Sequence, residues 1–242
     1  MRQINLGRPL IKSLLVHGNY NGGKTHLLGS LLSHEKQYGK CVYVNVQGEE
    51  MGSLLAFDLT DVELYQIESV LEVPGLVRDI GTVHAIVLDS VQRLGEIAGE
   101  KVTGGSRSVG DKDDHGKEWN RLKFEVFKVL ELFKRASTLF AAVCPSGYHE
   151  NQITKTTKII PRLPGVGEDL VGRFNFVGYM EATTLSTTRT DRTIDFQTRT
   201  DATTRCNAPT QPSKKLAIPD GVDAWVPIKR GLEYALRGGK IE

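Results

Sequence analysis

GNYNGGKT, residues 18–25, is the stretch on which the reading of this chain turns. It fits the pattern G-x-x-x-x-G-K-[ST] at every position. Leu14, Leu15 and Val16 before it read as a buried strand, and Leu27, Leu28, Leu31 and Leu32 after it recur at helical spacing. Strand, loop and helix in that order are what the pattern needs to act as a phosphate-binding loop. Its glycines let the backbone curl so that N–H groups point at phosphate oxygens, and the helix N-terminus adds the positive end of a dipole. Gly18, Asn19, Tyr20, Asn21, Gly22, Gly23, Lys24 and Thr25, with His26 behind them, are therefore expected to cradle a nucleoside triphosphate. Lys24 is expected to reach the β- and γ-phosphates, and the Thr25 hydroxyl to ligate Mg²⁺.

Outward from the loop, strand-like and helical runs alternate. Residues 11–17, 41–46 (CVYVNV), 64–67, 83–88 (VHAIVL) and 139–143 (LFAAV) read as strands. Residues 24–37 and 70–80 read as helices, a short helix starts at Ser90, and 117–135 carries a long amphipathic pattern. This βαβα order predicts an α/β fold with a mostly parallel sheet and helices on both faces. After Cys144 the pattern changes. Residues 174–183 and 190–199 read as an antiparallel hairpin, and 228–237 as a terminal helix stopped by Gly238-Gly239. Two long segments, 99–116 and 146–167, read as loops at the carboxyl edge of the sheet, where open α/β sheets place ligands.

Composition narrows the classes without choosing one. A chain of 242 residues fits one large α/β domain, and a net charge of +2 does not by itself announce nucleic acid. No window approaches the ~18 apolar residues of a membrane span, and the first fifteen residues lack the apolar core of a signal peptide. Cys41, Cys144 and Cys206 form no C-x-x-C or Cys/His cluster, so neither a zinc site nor a disulfide framework is expected. A reducing, cytoplasmic setting follows.

The strand VHAIVLD ends in Asp89, where a Mg²⁺-dependent phosphate site needs a carboxylate to hold the metal's shell. A helix N-cap is the competing role for Asp89. Hydrolysis needs a further carboxylate to take a proton from water. The turn after CVYVNV offers Glu49 first and Glu50 second, against the alternative of two solvated acids. Ser146 and His149, past the LFAAV strand, are candidates to sense the γ-phosphate. Lys155, Lys158 and Arg162 in the second segment and Arg107 in the first are candidates to track a phosphodiester backbone. Tyr148 is the one aromatic placed to stack on a base. Arg189, Arg192, Arg199 and Arg205 accompany the late hairpin, and Arg205 is the first choice for an arginine finger reaching a neighbouring subunit.

Taken together, GNYNGGKT, a strand ending LDS, a terminal polar strand, two loops and a hairpin resemble the RecA-like ATPase core. More narrowly, the chain resembles the core-only RecA-like recombination ATPases of bacteriophages, grouped with phage single-strand annealing proteins, over about residues 11–207. That resemblance implies ATP and Mg²⁺ as cofactors and ATP-dependent binding of single-stranded DNA through the two loops. It also implies a filament or ring of identical subunits with ATP between them, and the host bacterium's cytoplasm as the setting. Other phage replication or recombination proteins are the further partners it suggests; no membrane is expected. Where such proteins end the second strand with an acid before glycine, this chain has Gln47-Gly48, with Glu49 displaced by two. Two rival readings are an ATP-gated accessory protein (a helicase loader or packaging factor) and a small-molecule kinase. The kinase needs an Arg-rich lid, and residues 99–116 hold only Arg107.

Overall fold

The structure, a computed structural model, describes residues 11–105, 108–111, 116–150, 155–163, 165–186, 189–197, 201–208, 215–219 and 223–238. In chain order the elements are β1 (Ser13–Gly18), α1 (Lys24–Glu35), β2 (Cys41–Val46), β3 (Val62–Ile67), α2 (Val73–Ile80), β4 (Val83–Asp89) and α3 (Val91–Thr103). They continue through α4 (Lys117–Ala136), β5 (Ser137–Glu150), β6 (Thr157–Pro161), α5 (Gly167–Val171), β7 (Phe176–Ser186) and β8 (Arg189–Asp195). β9 (Arg205–Cys206), β10 (Leu216–Ile218) and α6 (Trp225–Leu236) complete them.

The main sheet runs β10-β8-β7-β1-β5-β4-β2-β3, and its six strands from β7 to β3 are parallel. Buried on both faces, these strands carry the continuous apolar runs that parallel strands need. Side-chain alternation then splits the core in two. Leu15, Val42, Val44, Ile86, Leu88, Phe140 and Ala142 pack on α2, α3, α4 and α5. Leu14, Val16, Tyr43, Ala85, Val87, Ala141 and Val143 point the other way, onto α1 and α6. The result is an α/β fold with a mostly parallel sheet flanked by helices, compatible with a Rossmann-like or phosphate-loop architecture. Among the described residues no helix is long and apolar enough to cross a membrane.

Apart from the carboxyl end of β5, the predicted parallel strands and the long helix stand within a few residues of their expected bounds. Two expectations need correction. The helix after Ser90 is long, because Val91, Leu94, Ile97 and Ala98 keep a buried stripe as far as Thr103. Segment 146–167 is not a loop. β5 runs on to Glu150 and pairs antiparallel with β6, Ser146 opposite Pro161 and Glu150 opposite Thr157, and α5 follows. In the sheet β5 and β4 lie between β1 and β2.

Helix α1 has Gly23 at its N-cap, with φ 86°, and no side-chain cap. It is anchored instead by Leu27, Leu28, Leu31 and Leu32, each 1% exposed or less. A buried leucine contributes roughly 1.5–3 kcal/mol, more than a good cap supplies. The helix can therefore leave its first N–H groups to a ligand.

Candidate functional site

Side-chain parity brings the chemistry-bearing groups to one place. Asp89 shares the α1 face with Ala85 and Val87, so its carboxylate rises from the end of β4 toward the start of α1. There it accepts a hydrogen bond from Thr25 Oγ1 at 2.7 Å and another from Tyr43 OH at 3.0 Å. The carboxylate is buried, and burial pushes its pKa up to about 6 against the opposing Thr25 hydrogen bond, with the nearby Glu49 charge adding to the rise. Asp89 is not the cap of α3. That role falls to Ser90, whose Oγ accepts from Arg93 N at 3.4 Å. Across from it, Lys24 is buried, and its Nζ donates to the carbonyls of Gly18 at 3.1 Å and Asn19 at 2.6 Å. Burial holds its pKa below the ordinary lysine value.

Glu49 reaches the same place by a turn. Glu49 N donates to Val46 O at 3.2 Å, and Gly48 at φ 88° makes the reversal. Glu49 Oε1 then accepts a hydrogen bond from Ser90 Oγ, which holds the half-buried carboxylate over the end of β4. Glu50 is exposed on the same rim. Residues Tyr20 to His26, Gly48, Glu49, Glu50, Asp89, Ser90, Pro145 and Arg192 line a cleft of about 740 Å³.

The close fit of the 18–25 loop accounts for its glycines. A Cβ on Gly18 would meet Met180 O of β7 at 2.4 Å, and Gly23 combines φ 86° with Arg192 Nε 2.9 Å from where its Cβ would stand. Among the described residues no group of three or more His, Cys, Asp or Glu is arranged to hold a metal. A cation at Thr25 and Asp89 would take its other ligands from water and phosphate, as Mg²⁺ does. The donor set fits that ion: a hydroxyl, a buried carboxylate and a second carboxylate nearby. Asn45 adds a buried Oδ1 that lacks a hydrogen-bond partner; it stands on the α1 face in register with Asp89.

Other candidates lie elsewhere. Ser146 faces away from the cleft, and its Oγ lies 2.9 Å from His17 Nδ1. His149 is exposed on the β5–β6 ribbon. Neither lines the cleft, which corrects their expected role as phosphate sensors. Lys158 lies on β6 opposite His149, and Lys155 is exposed just before it with φ 55°. Arg162 follows β6, its NH1 donating to Tyr20 OH at 3.1 Å and its guanidinium 5.8 Å from the Tyr20 ring centre. Tyr20 in turn donates to Gln92 Oε1 at 3.0 Å. Arg107 lies outside the described residues. Arg205 is occupied away from the cleft, its NH1 donating to Gly172 O at 3.1 Å. Among the described residues the arginine lining the cleft is Arg192, which reading the four hairpin arginines together did not single out. Cys41 and Cys144 are buried thiols, pushed up to about 11 and about 12 by burial, and so are poor nucleophiles.

His17, at the end of β1, is fully buried. Its Nε2 donates to Thr203 O at 2.7 Å, which in the neutral ring leaves Nδ1 to accept from Ser146 Oγ. Burial lowers its pKa to about 4, with the Lys24 charge adding to the fall and the Thr203 hydrogen bond opposing it. Because the folded value lies below the unfolded one of 6.5, stability is present above pH 6.5 and is lost as pH falls toward 4. Between pH 7 and pH 4 the wild type is expected to lose about 3 kcal/mol more than His17→Gln does. Urea unfolding of both proteins at the two pH values checks this, and equal losses would remove His17 from the acid response.

Compared with known proteins, no family model matches the chain and no curated protein matches it.

Proposed function

We propose that the chain is a Mg·ATP-dependent, RecA-like ATPase that binds single-stranded DNA as an oligomer, in phage-type recombination or annealing. The observation that carries the nucleotide half is the 2.7 Å hydrogen bond from Thr25 Oγ1 to Asp89. It joins the end of the glycine-rich loop to a strand-end carboxylate 64 residues away, the two oxygens a phosphate-bound Mg²⁺ needs side by side. The first N–H groups of α1 and the Lys24 ammonium would bind the phosphates, Thr25 would hold the metal, and Asp89 would order its shell. The metal, when bound, supplies charge neutralisation at the β- and γ-phosphates. Glu49 would take a proton from a water molecule.

The DNA half rests on the β5–β6 ribbon. It projects beyond the carboxyl edge of the sheet, with Tyr148 76% exposed and Lys155, Lys158 and Arg162 along it. Backbone charge contacts with aromatic stacking are how single strands are held without base readout. Arg162 also touches Tyr20 of the 18–25 loop, so a nucleotide that moves Tyr20 would alter the ribbon's grip.

The test is ATP turnover and DNA binding with and without single-stranded DNA, using Lys24→Ala as the control without nucleotide. Wild type is expected to turn over ATP faster with DNA and to bind DNA only with ATP. Removing the charges of Lys155, Lys158 and Arg162 together is expected to flatten the salt dependence of single-stranded DNA binding by about two units of log–log slope. ATP turnover without any ATP-dependent DNA binding would favour the accessory-protein reading.

A further inference from the structure

We infer that Arg192 is a second phosphate-binding cation of the nucleotide site, supplied by the same chain that supplies Lys24. The inference rests on the nucleotide-binding reading above and adds a residue that the loop motif does not contain. Arg192 lies on β8, paired with Ala182 of β7 and Ile218 of β10. Strand alternation puts it on the face of Ile194, which packs with Leu27 and Leu28 of α1. Two residues along the strand from Ile194, Arg192 comes level with the start of α1.

The contact there is close. A Cβ on Gly23 would lie 2.9 Å from Arg192 Nε and 3.2 Å from its Cδ, so the side chain lies against the loop backbone at the helix N-cap. Arg192 is half-buried and forms part of the cleft wall with Lys24, Thr25, Glu49 and Asp89. Lys24 alone would oppose the three carboxylates of this cleft, Glu49, Glu50 and Asp89, before any triphosphate enters it. A second cation offsets part of that negative charge, leaving Mg²⁺ to meet the triphosphate's charge. A guanidinium also presents its donors in a fixed fork that suits phosphate oxygens. Its position on a strand, gripped by β7 and β10, makes it a preset part of the site.

This assignment differs from an arginine finger, which acts on a neighbouring subunit's nucleotide. Arg192 stands over its own loop, and Arg205 is engaged with the end of α5.

The experiment measures Mg²⁺-dependent binding of a fluorescent ATP analogue, with inorganic triphosphate as a competitor. The proteins are wild type, Lys24→Ala, Arg192→Ala, Arg192→Met and Arg205→Ala. Arg192→Met keeps the apolar stem against Gly23, so it reports on the charge even if Arg192→Ala does not fold. Arg192→Met is expected to weaken both ATP and triphosphate by about 10- to 100-fold, with Arg205→Ala unchanged. An equimolar mixture of Arg192→Met and Lys24→Ala is expected to regain neither tight binding nor turnover, since each chain completes its own site. Arg192→Met binding within twofold of wild type would overturn the assignment, and so would weakened ATP with unchanged triphosphate. Recovery in the mixture would show that Arg192 serves a neighbour, which also overturns it. If wild type itself binds no ATP, or Lys24→Ala binds as wild type does, the nucleotide reading fails and this inference with it.

Discussion

Glu35→Ala is expected to cost about 3 kcal/mol of folding stability, mostly by releasing α6. Glu35 sits at the end of α1 with its side chain 4% exposed. It accepts three hydrogen bonds, from Trp225 Nε1, Lys229 Nζ and His84 Nε2, each at 2.8 Å. Burial alone would raise its pKa, but the three donors together hold it below the ordinary glutamate range. The stabilisation is therefore in place above that range and is lost as pH falls through the lower folded value. Two of the donors have somewhere to go when the carboxylate is removed. Lys229 and His84 are partly exposed and can return to water, whereas Trp225 is fully buried and its indole N–H cannot. That difference puts the expected cost at the lower end of the 3–5 kcal/mol typical of breaking a buried ion pair. Glu35→Gln keeps one acceptor oxygen and should cost about half as much. Chemical denaturation gives the totals, and hydrogen exchange in α6 locates the effect. A loss below about 1 kcal/mol for Glu35→Ala would mean that α6 is held by its apolar face alone.

The cluster also shows where sequence reading stops. The runs CVYVNV, VHAIVLD and LFAAV announce themselves because strands buried on both faces have no polar alternation to hide behind. The extension of β5 past Cys144 does not. Its residues SGYHE pair with TKIIP in a ribbon whose tip, Tyr148 to Glu150, is exposed and whose Ile159 also bridges to Ala202, so no continuous apolar run marks the extension. β10 is three residues long and is held by pairing with β8 rather than by a pattern of its own.

The site divides the same way. Lys24, Thr25 and Asp89 were legible because the loop pattern before α1 and the strand VHAIVLD can each be read locally. Tyr43 reaches Asp89, and Arg192 the cleft, through strand order and side-chain parity, which bring together residues far apart in the chain. A signal for Arg192 did exist. It stands two positions before Ile194, whose alternation with polar neighbours marks the buried face of β8. Arg205 lacks any such neighbour, and it ends up on the carbonyls of α5.

Glu49→Gln is expected to lower ATP turnover by about 10²- to 10⁴-fold, the contribution of a well-placed general base, while Glu50→Gln changes it by less than about threefold. The geometry separates the two acids. Glu50 is exposed on the rim, with nothing among the observed contacts to fix it. Glu49 is held through Oε1 by Ser90 Oγ, leaving its other oxygen to take a proton from an attacking water. Its charge also raises the Asp89 pKa, so the two carboxylates are electrostatically in touch. Removing that charge relieves repulsion with a bound triphosphate. ATP affinity should therefore hold or tighten slightly in Glu49→Gln while turnover collapses, a pattern that misfolding cannot produce. Ser90→Ala frees the carboxylate without removing it and is expected to fall between wild type and Glu49→Gln. Single-turnover hydrolysis and equilibrium ATP binding on the same four proteins decide the matter. A collapse in Glu50→Gln instead would move the base by one residue. No collapse in either would mean that Lys24 and Thr25 serve a protein that binds ATP as a switch, with the QGEE turn shaping the cleft rather than running the reaction.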